Sequence, residues 1–153
     1  MTTTSPPIER EIRIEARPET IFPFLTDPEK MVQWIGVKAT LEPVAGGLFR
    51  IETGGHNAVR GKYVEVNPYT RIVFTWGWED EGTPLPAGAS TVEITLTPIG
   101  GGTLLRLTHS GLPEAVRESH VEGWIYCLDR LGKVAIGIDP GPEQSPCSAS
   151  KAH

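Results

Sequence analysis

The sequence predicts an α+β domain in which a curved, seven-stranded antiparallel sheet wraps around one long C-terminal helix. Three observations predict it. From Ile8 to His109 the chain runs mostly in short stretches that alternate apolar and polar residues, separated by Gly, Pro and Asn clusters. That is the pattern of half-buried strands joined by tight turns. One segment, from His109 to Leu131, carries helical spacing instead: Val121, Trp124, Ile125, Leu128 and Leu131, continued by Ala135, recur every three or four residues. Each strand has a single apolar face, so one face of the sheet needs a cover, and the long helix is the available one.

Taken in order, Met1–Pro7 reads as a disordered lead. Ile8, Ile12 and Ile14 alternate with Glu9, Glu11, Arg13 and Glu15 as a first strand, with Arg10 falling on the apolar face. Two short helices follow. Pro18 suits the first position of one, where its missing N–H costs nothing. Pro23 then either kinks that helix or sits in the first turn of one that begins at Thr20. Asp27-Pro28-Glu29 caps the second helix, which carries Met31, Trp34 and Ile35. Six strands come next. They are marked by Val37, Ala39 and Leu41; by Phe49 and Ile51; by Val59, Tyr63 and Val64; by Ile72, Phe74, Trp76 and Trp78; by Val92, Ile94 and Leu96; and by Leu105, Leu107 and His109. Ala45–Gly47, Thr53–Asn57 and Pro98–Gly102 are turns, and Glu79–Ala89 is a Gly- and Pro-rich loop. Parity puts Tyr63 and Glu65 on one face and Val64 and Val66 on the other, so one pattern must break, at a bulge or at the strand end. Residues 139–153 read as a disordered tail, leaving one domain over 8–138.

The 153 residues suffice for a sizeable core, and 39% hydrophobic with 22% charged residues fits a folded chain. A net charge of −5 with scattered Lys and Arg argues against nucleic acid. No run approaches the roughly 18 apolar residues of a membrane span. The N-terminus has no signal-peptide pattern. The two cysteines, Cys127 and Cys147, are unsuited to a structural disulfide, so a reduced, cytoplasmic setting is expected.

Several stretches together carry a resemblance. They are Ala16–Phe22, Leu25–Glu29 leading to Trp34, Gly61–Pro68, Arg71–Trp76, Thr91–Leu96, Leu107–Leu112, and His120 with Gly123-Trp124. On these the chain resembles single-domain proteins related to the C-terminal domain of the activator of the heat-shock-protein-90 ATPase, within the START/Bet v 1-like (SRPBCC) superfamily. The resemblance spans Ile8 to Ile138. It implies a helix-grip fold with seven strands and an internal apolar cavity. Superfamily members bind or process lipids, hormones and polyketides, and many dimerise, so a homodimer stays open. The co-chaperone role belongs to longer proteins with an additional N-terminal domain, for which this chain is expected to have no room.

The leading reading is a binder of a small hydrophobic or aromatic molecule, with Trp34, Phe49, Tyr63, Phe74, Trp76, Trp78, His109, His120 and Trp124 as candidate lining residues. Taken one at a time each reads better as plain core, and it is as a set that they resemble a pocket lining. His109 ends a strand on its apolar face, and His120 lies four residues before Trp124, so both could line the cavity mouth or simply hold the Ser110–Pro113 turn. The alternatives are an enzyme of cyclase, dehydratase or hydrolase type using His109, His120, Tyr63 or Glu65 as acid or base, and a chaperone-directed interaction protein. Binding is favoured over catalysis, and no residue is assigned as catalytic. The histidines His56, His109, His120 and His153 are dispersed and no HExxH or CxxC is present, so no metal is expected. Gly100–Gly102 joins two strands and does not open a helix, so no nucleotide or other cofactor is expected. Cys127 reads as core. Gly123, inside the helix, reads as a point of close approach.

Overall fold

The computed structural model describes residues 6–53, 57–80 and 82–138. Most of the expected lead, the centre of the Thr53–Asn57 turn, Cys147 and the expected tail lie outside the described residues. Strand β1 (Ile8–Ile14) is followed by α1 (Pro18–Ile21), a 3-10 turn (Phe22–Leu25) and α2 (Pro28–Met31). Strands β2 (Lys38–Leu41), β3 (Leu48–Glu52), β4 (Ala58–Asn67), β5 (Arg71–Trp76), β6 (Ser90–Ile99) and β7 (Gly102–Ser110) then lead to α3 (Glu114–Val134). The sheet has seven strands in the order β1-β7-β6-β5-β4-β3-β2. Every pairing is antiparallel. This is the sheet over one long helix expected from the alternation pattern, and the helix-grip fold that the resemblance implies. The N-terminal strand sits beside the last one, with Ile8 opposite His109.

Pro18 occupies the start of α1, as expected. Pro23 is accommodated by a change of helix type: α1 stops at Ile21 and the chain tightens into the 3-10 turn, where Pro23 falls in the first positions. Asp27 accepts a hydrogen bond from the Glu29 N–H at 2.9 Å and so caps α2, which is only four residues long. Trp34 and Ile35 lie beyond it, buried.

The parity conflict in β4 is resolved by a bulge. Tyr63 pairs with Phe74 but Glu65 pairs with Val73, so one extra residue enters the strand. Val64 turns to solvent, Val66 packs against the core, and Glu65 points outward to Arg71 at 3.3 Å. Arg10 is solvent-exposed. The outer face of the sheet is laced with ion pairs such as Arg71–Glu93 and Arg106–Glu11. Exposed pairs of this kind contribute little each, and they keep that face wet.

On the inner face, α3 presents His120, Gly123, Trp124, Cys127, Leu128 and Leu131. Two details differ from the expected stripe. Ile125 is 46% exposed, because it falls about 100° around the helix from Trp124 and joins the solvent stripe of Glu118, Glu122 and Asp129. The helix also begins at Glu114, so His109–Pro113 belong to the strand end and its turn. Burying a Leu such as Leu128 or Leu131 contributes about 1.5–3 kcal/mol. No described helix is long and apolar enough to cross a membrane.

Candidate functional site

The inner face of a twisted sheet brings together side chains two residues apart on each strand and opposite or diagonal on its neighbours. Here that rule assembles rings. Phe49 of β3 stacks on Phe74 of β5 at 4.0 Å, and the Tyr63 ring meets Phe49 edge-on at 5.5 Å. Phe74 leads to Trp76 at 6.4 Å. Trp76 is the hub: its ring centroid lies 5.0 Å from Trp124, 5.8 Å from His109, 6.2 Å from Trp78 and 6.4 Å from His120. The two imidazoles are 5.5 Å apart.

Trp78 lies past the end of β5, and a glycine puts it there. A Cβ on Gly77 would stand 1.7 Å from the Pro86 carbonyl oxygen, so only glycine lets the 77–89 loop fold back this closely. The Trp78 N–H then bonds the Leu85 carbonyl at 2.9 Å.

The polar atoms of this cluster are wired in one consistent way. Trp124 Nε1–H donates to His109 Nδ1 at 2.9 Å. His109 must therefore carry its proton on Nε2, which donates to Ser90 Oγ at 2.8 Å. Ser90 passes its own proton to the Trp76 carbonyl at 2.7 Å. His120 is the opposite tautomer. It accepts from Trp78 Nε1 at 3.3 Å through Nε2, and Nδ1–H donates to the Val116 carbonyl at 2.8 Å. Burial pulls the pKa of His109 down to about 3, with the neighbouring His120 adding to the effect. Burial likewise lowers that of His120, opposed by its bond to Val116. Both rings are neutral acceptors of an indole N–H. Trp76 is the exception: its Nε1 is buried and has no hydrogen-bond partner.

Of the residues the sequence singles out, Phe49, Tyr63, Phe74, Trp76, Trp78, His109, His120 and Trp124 form this continuous assembly. Tyr63 is also tied down by its hydroxyl, which donates to the Leu25 carbonyl at 3.1 Å, and burial raises its pKa. Trp34 is buried beside the early helices, where its Nε1–H donates to the Phe24 carbonyl at 2.9 Å. Glu65 faces the opposite side of the sheet. Ser90 is not among the residues the sequence singles out, where its strand is marked by Val92, Ile94 and Leu96. The signal was present: Ser90 shares the parity of Val92, Ile94 and Leu96, and a serine on an inward face needs a partner.

The chemistry of this arrangement is specific. A general base takes a proton from a serine through a bare imidazole nitrogen. His109 instead donates to Ser90, so the pair is wired in reverse and Ser90 is not activated. Among the described residues no group of His, Cys, Asp or Glu is placed to hold a metal ion. Where the sequence reading expects a hollow, the rings lie in contact. A separate surface pocket of about 440 Å³ lies between Arg17, Pro18, Tyr69, Pro98 and Gly102. It sits at the opposite end of β7 from His109, roughly 20 Å away at 3.3 Å per residue, and none of the predicted residues lines it.

A long helix gripped by a seven-stranded antiparallel sheet, with its aromatic residues gathered between the two, defines the class of helix-grip proteins. Within that class, the family model described as "Activator of Hsp90 ATPase homolog 1-like protein" matches residues 15–135, and the chain belongs to this family. Solved structures agree. An AHSA1-like protein from Rhizobium etli is 44% identical, with a TM-score of 0.72, over 94% of this chain and 92% of that one. CalU16 from Micromonospora echinospora is 28% identical, with a TM-score of 0.69, over 86% of this chain and 76% of that one. An HSP90 activator from Plasmodium falciparum is 24% identical, with a TM-score of 0.72, over 87% of this chain and 97% of that one, and shares the fold. No curated protein matches the sequence.

Proposed function

We propose that the protein binds a small apolar or aromatic molecule between the sheet and α3, at the end where Trp76, Trp78, His109, His120 and Trp124 meet. One observation carries this reading: two neutral imidazoles and three indoles are concentrated at one end of a mostly apolar interior. A largely apolar wall with a few convergent polar groups is the make-up of small-molecule sites. The ligand reaches the cluster from the Trp78–His120 side. These are its least buried members, at 8% and 9% exposure. Binding parts the rings and changes the surroundings of several tryptophans at once. Titration of the protein with long-chain lipids, polyketides and neutral aromatic compounds, read by tryptophan fluorescence, should give saturable quenching with at least one class. Flat titrations across all three classes would refute the reading.

The family match supports a second reading, an interaction with the Hsp90 chaperone. It requires that the purified protein stimulate the chaperone's ATPase, and an unchanged rate removes it.

A further inference from the structure

The proposal concerns ligand class, and it rests on the binding reading above. In the aromatic cluster, nearly every polar atom is already matched. Trp78 and Trp124 donate to His120 and His109, and both imidazoles use both nitrogens. Ser90 passes its proton to a carbonyl. Trp76 Nε1 is the atom left over: a donor on a side chain only 1% exposed, with no acceptor in the protein. A buried donor without an acceptor costs free energy, and a ligand that supplies the acceptor recovers it. Charge sets the second constraint. The rings around Trp76 are Phe49, Phe74, Trp78, Trp124 and the two imidazoles, and none carries a cation. Protonating either histidine to make one removes the lone pair that an indole N–H already occupies. A buried carboxylate there has no counter-charge, and an isolated buried anion is far costlier than a neutral carbonyl.

We propose that the site takes an uncharged aromatic molecule bearing a carbonyl-type acceptor, which receives Trp76 Nε1–H, and turns away the corresponding carboxylate. Trp76 is thereby the specificity-determining residue. A ketone gains a hydrogen bond that its hydrocarbon isostere lacks, and the acid loses more by desolvation than it gains from the same donor.

Three probes of one shape test this by calorimetry at neutral pH: 2-acetylnaphthalene, 2-isopropylnaphthalene and 2-naphthoate. The ketone should bind about tenfold tighter than the hydrocarbon, and 2-naphthoate should bind at least about a hundredfold weaker than the ketone. In Trp76→Phe the ketone's advantage over the hydrocarbon should vanish, whatever the loss of packing does to the affinity of both. Equal binding of ketone and hydrocarbon to the wild type overturns the proposal, as does a ketone preference that survives Trp76→Phe. So does naphthoate binding on a par with the ketone. If none of the three binds, the proposal fails, while saturable quenching by a long-chain lipid or a polyketide leaves the underlying binding reading standing. A measurement on the wild type keeps the test valid should Trp76→Phe not fold. With ¹⁵N-tryptophan, the Trp76 indole resonance should move downfield with the ketone and not with the hydrocarbon. An unmoved Trp76 resonance in the ketone complex overturns the proposal.

Discussion

Replacing His109 with glutamine would separate the structural work of this histidine from its titration. Gln offers a carbonyl oxygen to accept from Trp124 Nε1 and an amide to donate to Ser90, the same two roles His109 fills. It binds no proton. In the wild type, His109 has a pKa of about 3 in the folded protein against 6.5 for a free imidazole. Between those values the unfolded chain is protonated and the folded one is not, so stability is fully present above about pH 6.5 and is lost as the pH falls toward 3. At about pH 5 the group lies 1.5 units below its unfolded pKa, and at about 1.4 kcal/mol per unit that costs about 2 kcal/mol. His120, whose pKa is also lowered, adds a loss of the same sign in both proteins. Urea unfolding at about pH 7 and pH 5, followed by fluorescence, should therefore show the wild type losing about 2 kcal/mol more than His109→Gln. At neutral pH the variant should be less stable by about 1 kcal/mol, since an amide replaces a ring in a packed site. Equal acid losses in the two proteins, within about 0.5 kcal/mol, would refute the assignment of His109 as a neutral acceptor buried by α3.

Two further substitutions probe how the site is held. Leu128→Ala should cost about 2–5 kcal/mol in denaturant unfolding, because Leu128 is fully buried between α3 and the sheet, whereas Ile125→Ala, on the solvent stripe, should stay within about 0.5 kcal/mol. Gly77→Ala places a methyl group against the Pro86 carbonyl and should push the 77–89 loop away, costing about 2 kcal/mol or more. Because that loop seats Trp78 against His120, the same variant should alter the near-UV dichroism of the tryptophans, and a wild-type spectrum would contradict the role given to Gly77.

Strand parity placed Phe49, Tyr63, Phe74, Trp76 and His109 inward, and all are buried. Where parity broke, in β4, the residues announced a conflict but not its solution. The bulge that sends Glu65 outward depends on how β4 pairs with β5, and pairing is a property of two strands. The same holds for Ile125: three- and four-residue spacing fits more than one stripe on a helix, and only the docked sheet selects between them. Ser90 was missed because its role arises diagonally across β6 and β7, where Val92 faces His109.

Alternation with period two and spacing with period 3.6 are local, because each element must turn its own apolar side one way. The sequence by itself therefore determined a sheet closed over one long helix, and which rings would be inside. The tertiary structure alone decided what those rings do to one another. The Trp78–His120 bond joins residues 42 positions apart, and Trp124–His109 spans a strand, a turn and part of a helix. The opposite tautomers of the two histidines follow from those bonds, as does the isolation of the Trp76 donor. Hydrogen bonds of this kind require angles and distances that only the assembled sheet and helix define.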